Sequence, residues 1–326
     1  MKSAVSGLRS VSGDAEAKEE QMRDPKSDPK GPLPWQQRKS LDEDPQAHRR
    51  IEAITSSPGY RIAEEDRAFL QQHETLGVRL ELDYLKAELL LRKHGIEHTI
   101  VVYGSTRIIE EQTALRRLES AKQALQNSPD SSERAEALQI AERVLEKSRY
   151  YIVARTLGGL VGSAGEGPDD CRVTLMTGGG PGIMEAANRG AFDVGAKSIG
   201  LNISLPEEQF PNPYVTPELC FQFHYFAIRK LHFLQRAKAL IFFPGGFGTL
   251  DELFGILTLI QTRKIEPLPI VLVGETYWKE LVNIDFLKKE GSIDPADQSL
   301  FRYGESAEEI WEGLLSWHRT NETPLF

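Results

Sequence analysis

Ala239-Leu240-Ile241-Phe242-Phe243 runs directly into Pro244-Gly245-Gly246-Phe247-Gly248-Thr249-Leu250-Asp251-Glu252. A five-residue apolar run bounded by a turn signal reads as a strand buried on both faces rather than as a helix. The glycines that follow let the backbone turn and come close to an anion. The first N–H groups of the helix beyond them point outward at that anion. The pattern predicts a helix from Thr249 to Ile260 with Glu252 in its first turn. Strand, glycine turn and helix in this order predict a parallel α/β sheet with a phosphate site at its carboxyl edge. An acid beside such a cradle points to chemistry on a phosphorylated small molecule, a nucleotide above all.

The same succession recurs upstream. His98 to Tyr103 is a second apolar run and ends in Gly104-Ser105-Thr106-Arg107. Arg172 to Thr177 is a third, ending in Gly178-Gly179-Gly180-Pro181-Gly182-Ile183-Met184. Ala196 to Ile203 and Pro269 to Val273 bring the predicted strands to five. Residues 108–150 read as a helical hairpin broken at Asn127-Ser128-Pro129-Asp130, and 151–161, 183–194 and 226–237 as helices. Two amphipathic helices are expected after Val273. Apolar strands alternating with helices imply a doubly wound, Rossmann-like parallel sheet, with all three glycine turns at its ligand-binding edge.

Ahead of this body, Phe69, Leu76, Leu80, Tyr84 and Leu91 recur at mostly four-residue steps. They predict an added N-terminal helical region that packs on the body or at a subunit interface. Residues 1–50 mix both charge signs with Pro25, Pro29, Pro32, Pro34 and Pro45 and show no apolar period. Such a segment buries too little surface to offset its ordering entropy. The expected organisation is a disordered tail over 1–50, a helical extension over 51–95 and a Rossmann-like nucleotide-binding catalytic domain over 96–326.

With 40% apolar and 27% charged residues, the chain has the composition of an ordinary globular protein. Its net charge of −9 disfavours nucleic acid, whose phosphate backbone rewards a basic surface, but leaves room for a mononucleotide in a local cationic pocket. Cys171 and Cys220 are the only cysteines, too few for a disulfide framework or a zinc cage. No apolar stretch approaches the roughly 18 residues of a membrane span, and no signal-peptide core opens the chain. These features predict a cytoplasmic protein with no membrane partner.

Each candidate residue carries a plainer alternative. Gly104 and Ser105 are read as part of the nucleotide pocket, or as a tight turn in which Ser105 or Thr106 caps the next helix. Gly178, Gly179, Gly180 and Gly182 do not satisfy G-x-G-x-x-G, because Ile183 stands where the third glycine belongs, so NAD is disfavoured. They are read as admitting ribose or base against bare backbone with Met184 lining the pocket, or as a loop that needs positive φ angles. Gly245, Gly246, Gly248 and Thr249 are the expected phosphate cradle. Thr249 with Glu252 is also the spacing of a helix capping box. Arg229, followed by Lys230, lies in the largely apolar stretch Phe226-Ala227-Ile228-Arg229-Lys230-Leu231. It is read as a cation delivered to an anionic site, or as a surface salt bridge.

Taken together, the two long glycine motifs and Arg229-Lys230 resemble the LOG family of phosphoribohydrolases, whose older label is lysine decarboxylase. The resemblance covers about residues 96–290, and the N-terminal extension is similar to the longer, bacterial class. It implies hydrolysis of the N-glycosidic bond of a purine nucleoside 5′-monophosphate, AMP or an N6-modified AMP such as a cytokinin riboside monophosphate, to free base and ribose 5-phosphate. Arg229 and Glu252 are implied to be catalytic, with Lys230 beside them in substrate binding, on a homodimer or larger homo-oligomer. Cleavage of C1′–N9 builds positive charge on the ribose, which a carboxylate at the place of Glu252 stabilises while it orients water. The chemistry calls for no metal and no cofactor. Two alternatives stand beside it: a nucleotide or molybdenum-cofactor carrier without turnover, and a decarboxylase, which would need pyridoxal phosphate on a lysine.

Overall fold

In a computed structural model, the structure describes residues 33–206 and 210–326. The chain divides by its contacts into two units, Met1–His73 and Glu74–Phe326. The described part of the first unit holds a 3₁₀ turn at Pro34–Gln36, helix α1 (Ala47–Thr55), two more single turns, and helix α2 (Arg67–Leu70). The Asp66 carboxylate caps α2 by accepting from the Phe69 N–H at 3.1 Å. The disorder expected for residues 1–50 concerns, for 1–32, residues outside those described. Residues 33–50 carry the Pro34 turn and the start of α1.

The second unit opens with helix α3 (Leu76–Lys93) and continues as one seven-stranded, all-parallel sheet in the order β4-β3-β2-β1-β5-β6-β7. Its strands are β1 (His98–Tyr103), β2 (Val173–Thr177), β3 (Ser198–Ile203), β4 (Cys220–Phe223), β5 (Ala237–Phe242), β6 (Ile270–Val273) and β7 (Arg302–Gly304). The helices that connect and cover them are α4 (Glu111–Gln126), α5 (Ser132–Lys147), α6 (Arg149–Gly162), α7 (Ile183–Asp193), α8 (Phe226–Gln235) and α9 (Phe247–Gln261), then α10 (Glu275–Leu281), α11 (Ile284–Lys289) and α12 (Ala307–Thr320). The doubly wound expectation holds. Sequence expectation put α3 in a separate extension, whereas the division of the chain falls at His73 and leaves α3 with the sheet.

Alternation along the buried strands explains the two covers. Ile100 and Val102 of β1 face a cluster with Tyr151, Leu157, Ile183, Ala187 and Leu314, from α6, α7 and α12. Val101 and Tyr103 face the opposite cluster, with Leu91, Phe233, Leu253, Ile256 and Trp278 from α3, α8, α9 and α10. On the first side, Gly158 and Gly190 let α6 and α7 touch backbone to backbone. A Cβ at Gly158 would run into the Ala187 carbonyl oxygen, and one at Gly190 into that of Arg155.

Two strands escape the sequence reading, and both are sheet edges. β4 has four residues and β7 three, each with a polar member, Gln222 or Arg302, in place of the continuous apolar run that marks an interior strand. The functionally decisive feature is central. Chain order reverses between β1 and β5, which are direct neighbours, so their connections leave in opposite directions and open a crevice at the carboxyl edge.

Candidate active site

Pairing between β1 and β5 continues past the ends of both strands. The Phe243 N–H donates to the Tyr103 carbonyl at 2.9 Å, and the Ser105 N–H to the Pro244 carbonyl at 3.0 Å. The turns at Gly104 and Gly245 are thereby fastened side by side. Between them opens a cavity of about 750 Å³ lined by Gly104, Ser105, Gly178, Met184, Arg229, Gly245, Gly246, Gly248, Thr249 and Glu252, among others. The three glycine turns and the separate Arg229 converge on one space, as the sequence reading expects.

Helix α9 starts at Phe247, two residues earlier than predicted, with Gly246 as its N-cap and no side-chain cap. Thr249 is therefore inside the first turn and Glu252, the sixth helical residue, lies in the second. The capping-box alternative fails on this geometry, and the carboxylate is left for other work. Gly245 is required where it stands, since a Cβ would strike the Thr249 side chain. The Tyr277 hydroxyl donates to the Gly245 carbonyl at 2.7 Å and fixes the turn from α10.

Arg229 Nη2 lies 3.9 Å from Glu252 Oε1, with the two side chains 15% and 8% exposed. That pairing favours a buried site over a surface salt bridge. The guanidinium is held between the rings of Phe226, at 5.0 Å, and Phe233, at 5.6 Å, both within the range of cation–π attraction. Burial outweighs the neighbouring cations and pushes the Glu252 carboxyl above its ordinary 4.5. Burial likewise lowers Arg229 below the usual arginine value, against the pull of Glu252. Both groups are thus poorly solvated, the condition in which electrostatics toward a ligand are strongest.

Lys230 is different. Consecutive helical residues point about 100° apart, so with Arg229 turned inward Lys230 leaves the cavity and pairs with Asp251 at 2.7 Å. The substrate-binding role expected for Lys230 thus belongs to a residue that does not line the cavity. Helices α8 and α9 are joined by two parallel pairs, one inside the site and one outside it.

The second glycine turn divides in the same way. Gly178 lines the cavity, and a Cβ there would press on Met184 Sδ at 2.8 Å. Gly179, Gly180 and Gly182 do not line it. Gly179 and Gly182 have φ of +69° and +76°, so the positive-φ alternative holds for these two. Gly182 is the N-cap of α7, where a Cβ would meet the Ser105 carbonyl. A buried amide network holds the turn: Asn212 donates its N–H to the Gly179 carbonyl at 2.8 Å and its amide to the Gly180 carbonyl at 3.0 Å. Asn188 accepts from the Thr177 hydroxyl at 2.7 Å, and that hydroxyl accepts from the Gly179 N–H at 2.9 Å. At the first turn, Ser105 caps no helix; its hydroxyl accepts from the Arg107 N–H at 3.0 Å.

Two features go beyond the sequence forecast, which has the N-terminal helical region packing on the body or at a subunit interface without naming a contact. One wall of the cavity is the face Ile140, Arg143, Val144 and Lys147 of α5, spaced i, i+3, i+4, i+7, and Arg107 stands at the same opening. No carboxylate of the described residues pairs with Arg107, Arg143 or Lys147. The other is the support of α8 by α3. The Asp83 carboxylate accepts from the backbone N–H groups of His224, at 3.1 Å, and Tyr225, at 3.0 Å, capping the helix that carries Arg229. Tyr84 stacks on His232 at 5.0 Å, and its carbonyl lies 3.1 Å from His232 Nε2. Glu88 grips Arg236 through two bonds of 2.7 and 2.9 Å.

A family model described as possible lysine decarboxylase matches residues 184–314. A cytokinin riboside 5′-monophosphate phosphoribohydrolase of Arabidopsis thaliana is 31% identical over 148 residues, which are 44% of this chain and 67% of that protein. A second from the same plant is 29% identical over 183 residues, covering 54% and 80%. A pyrimidine/purine nucleotide 5′-monophosphate nucleosidase of Escherichia coli K12 is 31% identical over 135 residues, 38% of this chain and 28% of that protein. Among solved structures, a molybdenum cofactor binding protein from Rippkaea orientalis aligns with 67% of this chain and 94% of its own at 16% identity and a TM-score of 0.38, a likeness too slight to bear on function. Among the described residues no helix is long and apolar enough to cross a membrane.

Proposed function

Because the chain belongs to the LOG family of phosphoribohydrolases, we propose that it hydrolyses the N-glycosidic bond of a nucleoside 5′-monophosphate, releasing base and ribose 5-phosphate. The observation that carries this reading is the buried Arg229–Glu252 pair facing the same cavity as the open N-terminus of α9. In this reading the N–H groups of Gly246, Phe247 and Gly248 and the Thr249 hydroxyl hold the 5′-phosphate, as helix N-termini hold anions. Arg107, Arg143 and Lys147 add positive charge on the approach. The remote phosphate contacts position the sugar for reaction.

The reaction balances without a further reactant. Water adds to C1′ as the C1′–N bond breaks, the bonding pair leaves with the base, and the proton lost by water ends on the base. Positive charge grows on the ribose in between. Glu252 supplies the anion that stabilises it and accepts a hydrogen bond from the attacking water. Arg229 neutralises the departing base or the sugar phosphate. AMP and N6-modified AMP are the proposed substrates: Met184, Ile203, Leu205 and Phe226 offer an apolar side of the cavity.

The experiment is chromatographic detection of free base after incubation with AMP, prenyl-AMP, GMP, CMP and the matching nucleosides. Release from monophosphates alone is expected, with Glu252→Gln abolishing release while nucleotide binding persists. Tight nucleotide binding with no release from any of them would replace the hydrolase by the carrier.

A further inference from the structure

Tyr103 is the last residue of β1 and lines the cavity floor. Its ring is clamped between Phe242, stacked at 4.6 Å and 9°, and Phe233, tilted at 5.0 Å. A phenylalanine would satisfy that packing. The hydroxyl is surplus to it, is buried, and finds no hydrogen-bond partner in the protein. Buried polar groups are almost always paired, and the desolvation of one left unpaired is a standing cost to the fold. Arg229 Nε, in the same cavity, is orphaned in the same way.

The charges of Glu252 and Arg229 both act on the Tyr103 hydroxyl, so it belongs electrostatically to the same small region as the reacting pair. Burial raises the phenol well above its ordinary value of 10, so it is a neutral hydrogen-bond donor at any working pH. The floor where it stands lies between the phosphate cradle after β5 and the glycine turn after β2. A nucleotide with its phosphate on the cradle would lay its sugar there.

We propose that the Tyr103 hydroxyl donates a hydrogen bond to a ribose hydroxyl of the bound nucleotide and so makes the site select ribonucleotides over their deoxy forms. The proposal rests on the nucleotide reading above and adds a specificity residue to it. A site that buries a polar group for one substrate hydroxyl rejects the analogue lacking it, because the protein group is then left unpaired.

The test compares wild-type protein with Tyr103→Phe on AMP, 2′-deoxy-AMP and 3′-deoxy-AMP, reading kcat/KM for base release, or Kd where nucleotide binds without turnover. Wild-type protein is expected to favour AMP over at least one deoxy analogue by tenfold or more. Tyr103→Phe should close that gap to within threefold by losing ground on AMP and on the deoxy analogue that keeps the contacted hydroxyl, but not on the one that lacks it. Its melting temperature should match or exceed that of wild type, since the lost hydroxyl has no protein partner. Equal losses on all three nucleotides, no loss on any, or a lower melting temperature would overturn the assignment while leaving the hydrolase reading intact. Wild-type protein that neither binds nor cleaves any of the three overturns the nucleotide reading, and this inference with it.

Discussion

Glu252 occupies a position where its charge is poorly solvated: burial raises its carboxyl pKa despite Arg229 and Lys230 nearby. The folded protein therefore binds that proton more tightly than the unfolded chain does. The stability this confers is complete below the ordinary value of 4.5 and is lost as pH rises through the folded value. Glu252→Gln, which carries no charge at any pH, should raise the melting temperature by about 1–3 °C at pH 8, with the gain shrinking toward pH 4. Calorimetry across that range checks it. In the proposed hydrolysis turnover needs the carboxylate ionised, so the acid limb of the kcat profile should have its midpoint above 4.5. A midpoint at or below that value would mean that Glu252 is solvated during turnover. At this scale the sequence was highly legible where glycines and charges break an apolar run, as at Arg229 and Pro244–Glu252. It was silent on Tyr277, Asn188 and Asn212, whose partners lie on other elements, and it did not separate Lys230, outside the cavity, from Arg229, inside it, because neighbouring residues on a helix share a motif but not a direction.

Between elements, the aim of Arg229 depends on α3. Asp83 caps α8 across 141 positions of sequence. Asp83→Ala should cost about 1 kcal/mol, the worth of an N-cap, and lower kcat several-fold with little change in KM, since the phosphate cradle is untouched. Steady-state kinetics beside a urea titration separate the two effects. Glu88 is almost fully buried against Arg236, which draws its pKa down to about 2. Its stabilisation is present above its ordinary value and is lost as pH falls toward 2. Removing it by Glu88→Ala should cost about 3 kcal/mol, because Arg236 is left buried and unpaired. Interior strands such as Ile100–Tyr103 and Leu240–Phe242 were legible because both their faces are buried. The edge strands Cys220–Phe223 and Arg302–Gly304 were not, since a short edge needs no apolar run. Residues 108–150 were legible as a hairpin, yet nothing local marks the Ile140–Lys147 face as a wall of the cavity.

For the molecule as a whole, the cationic wall works against a net charge of −9. The proposed nucleotide, an anion, would be repelled at long range and attracted once within about 10 Å, the screening length at 0.1 M salt. Arg143→Ala combined with Lys147→Ala should lower kcat/KM by about tenfold, mostly through KM, and flatten its dependence on ionic strength. Measuring kcat/KM between 20 and 300 mM salt (roughly a fourfold change in screening length) decides this. An unchanged slope would place these cations outside the approach path. The trans cap from Asp83 has a consequence for anyone wishing to transplant this chemistry. Grafting the strands and glycine turns onto another α/β scaffold would carry over the cradle and the acid but leave the guanidinium without its aim. The portable module is the strand set together with α3, a helix that contributes no atom to the cavity.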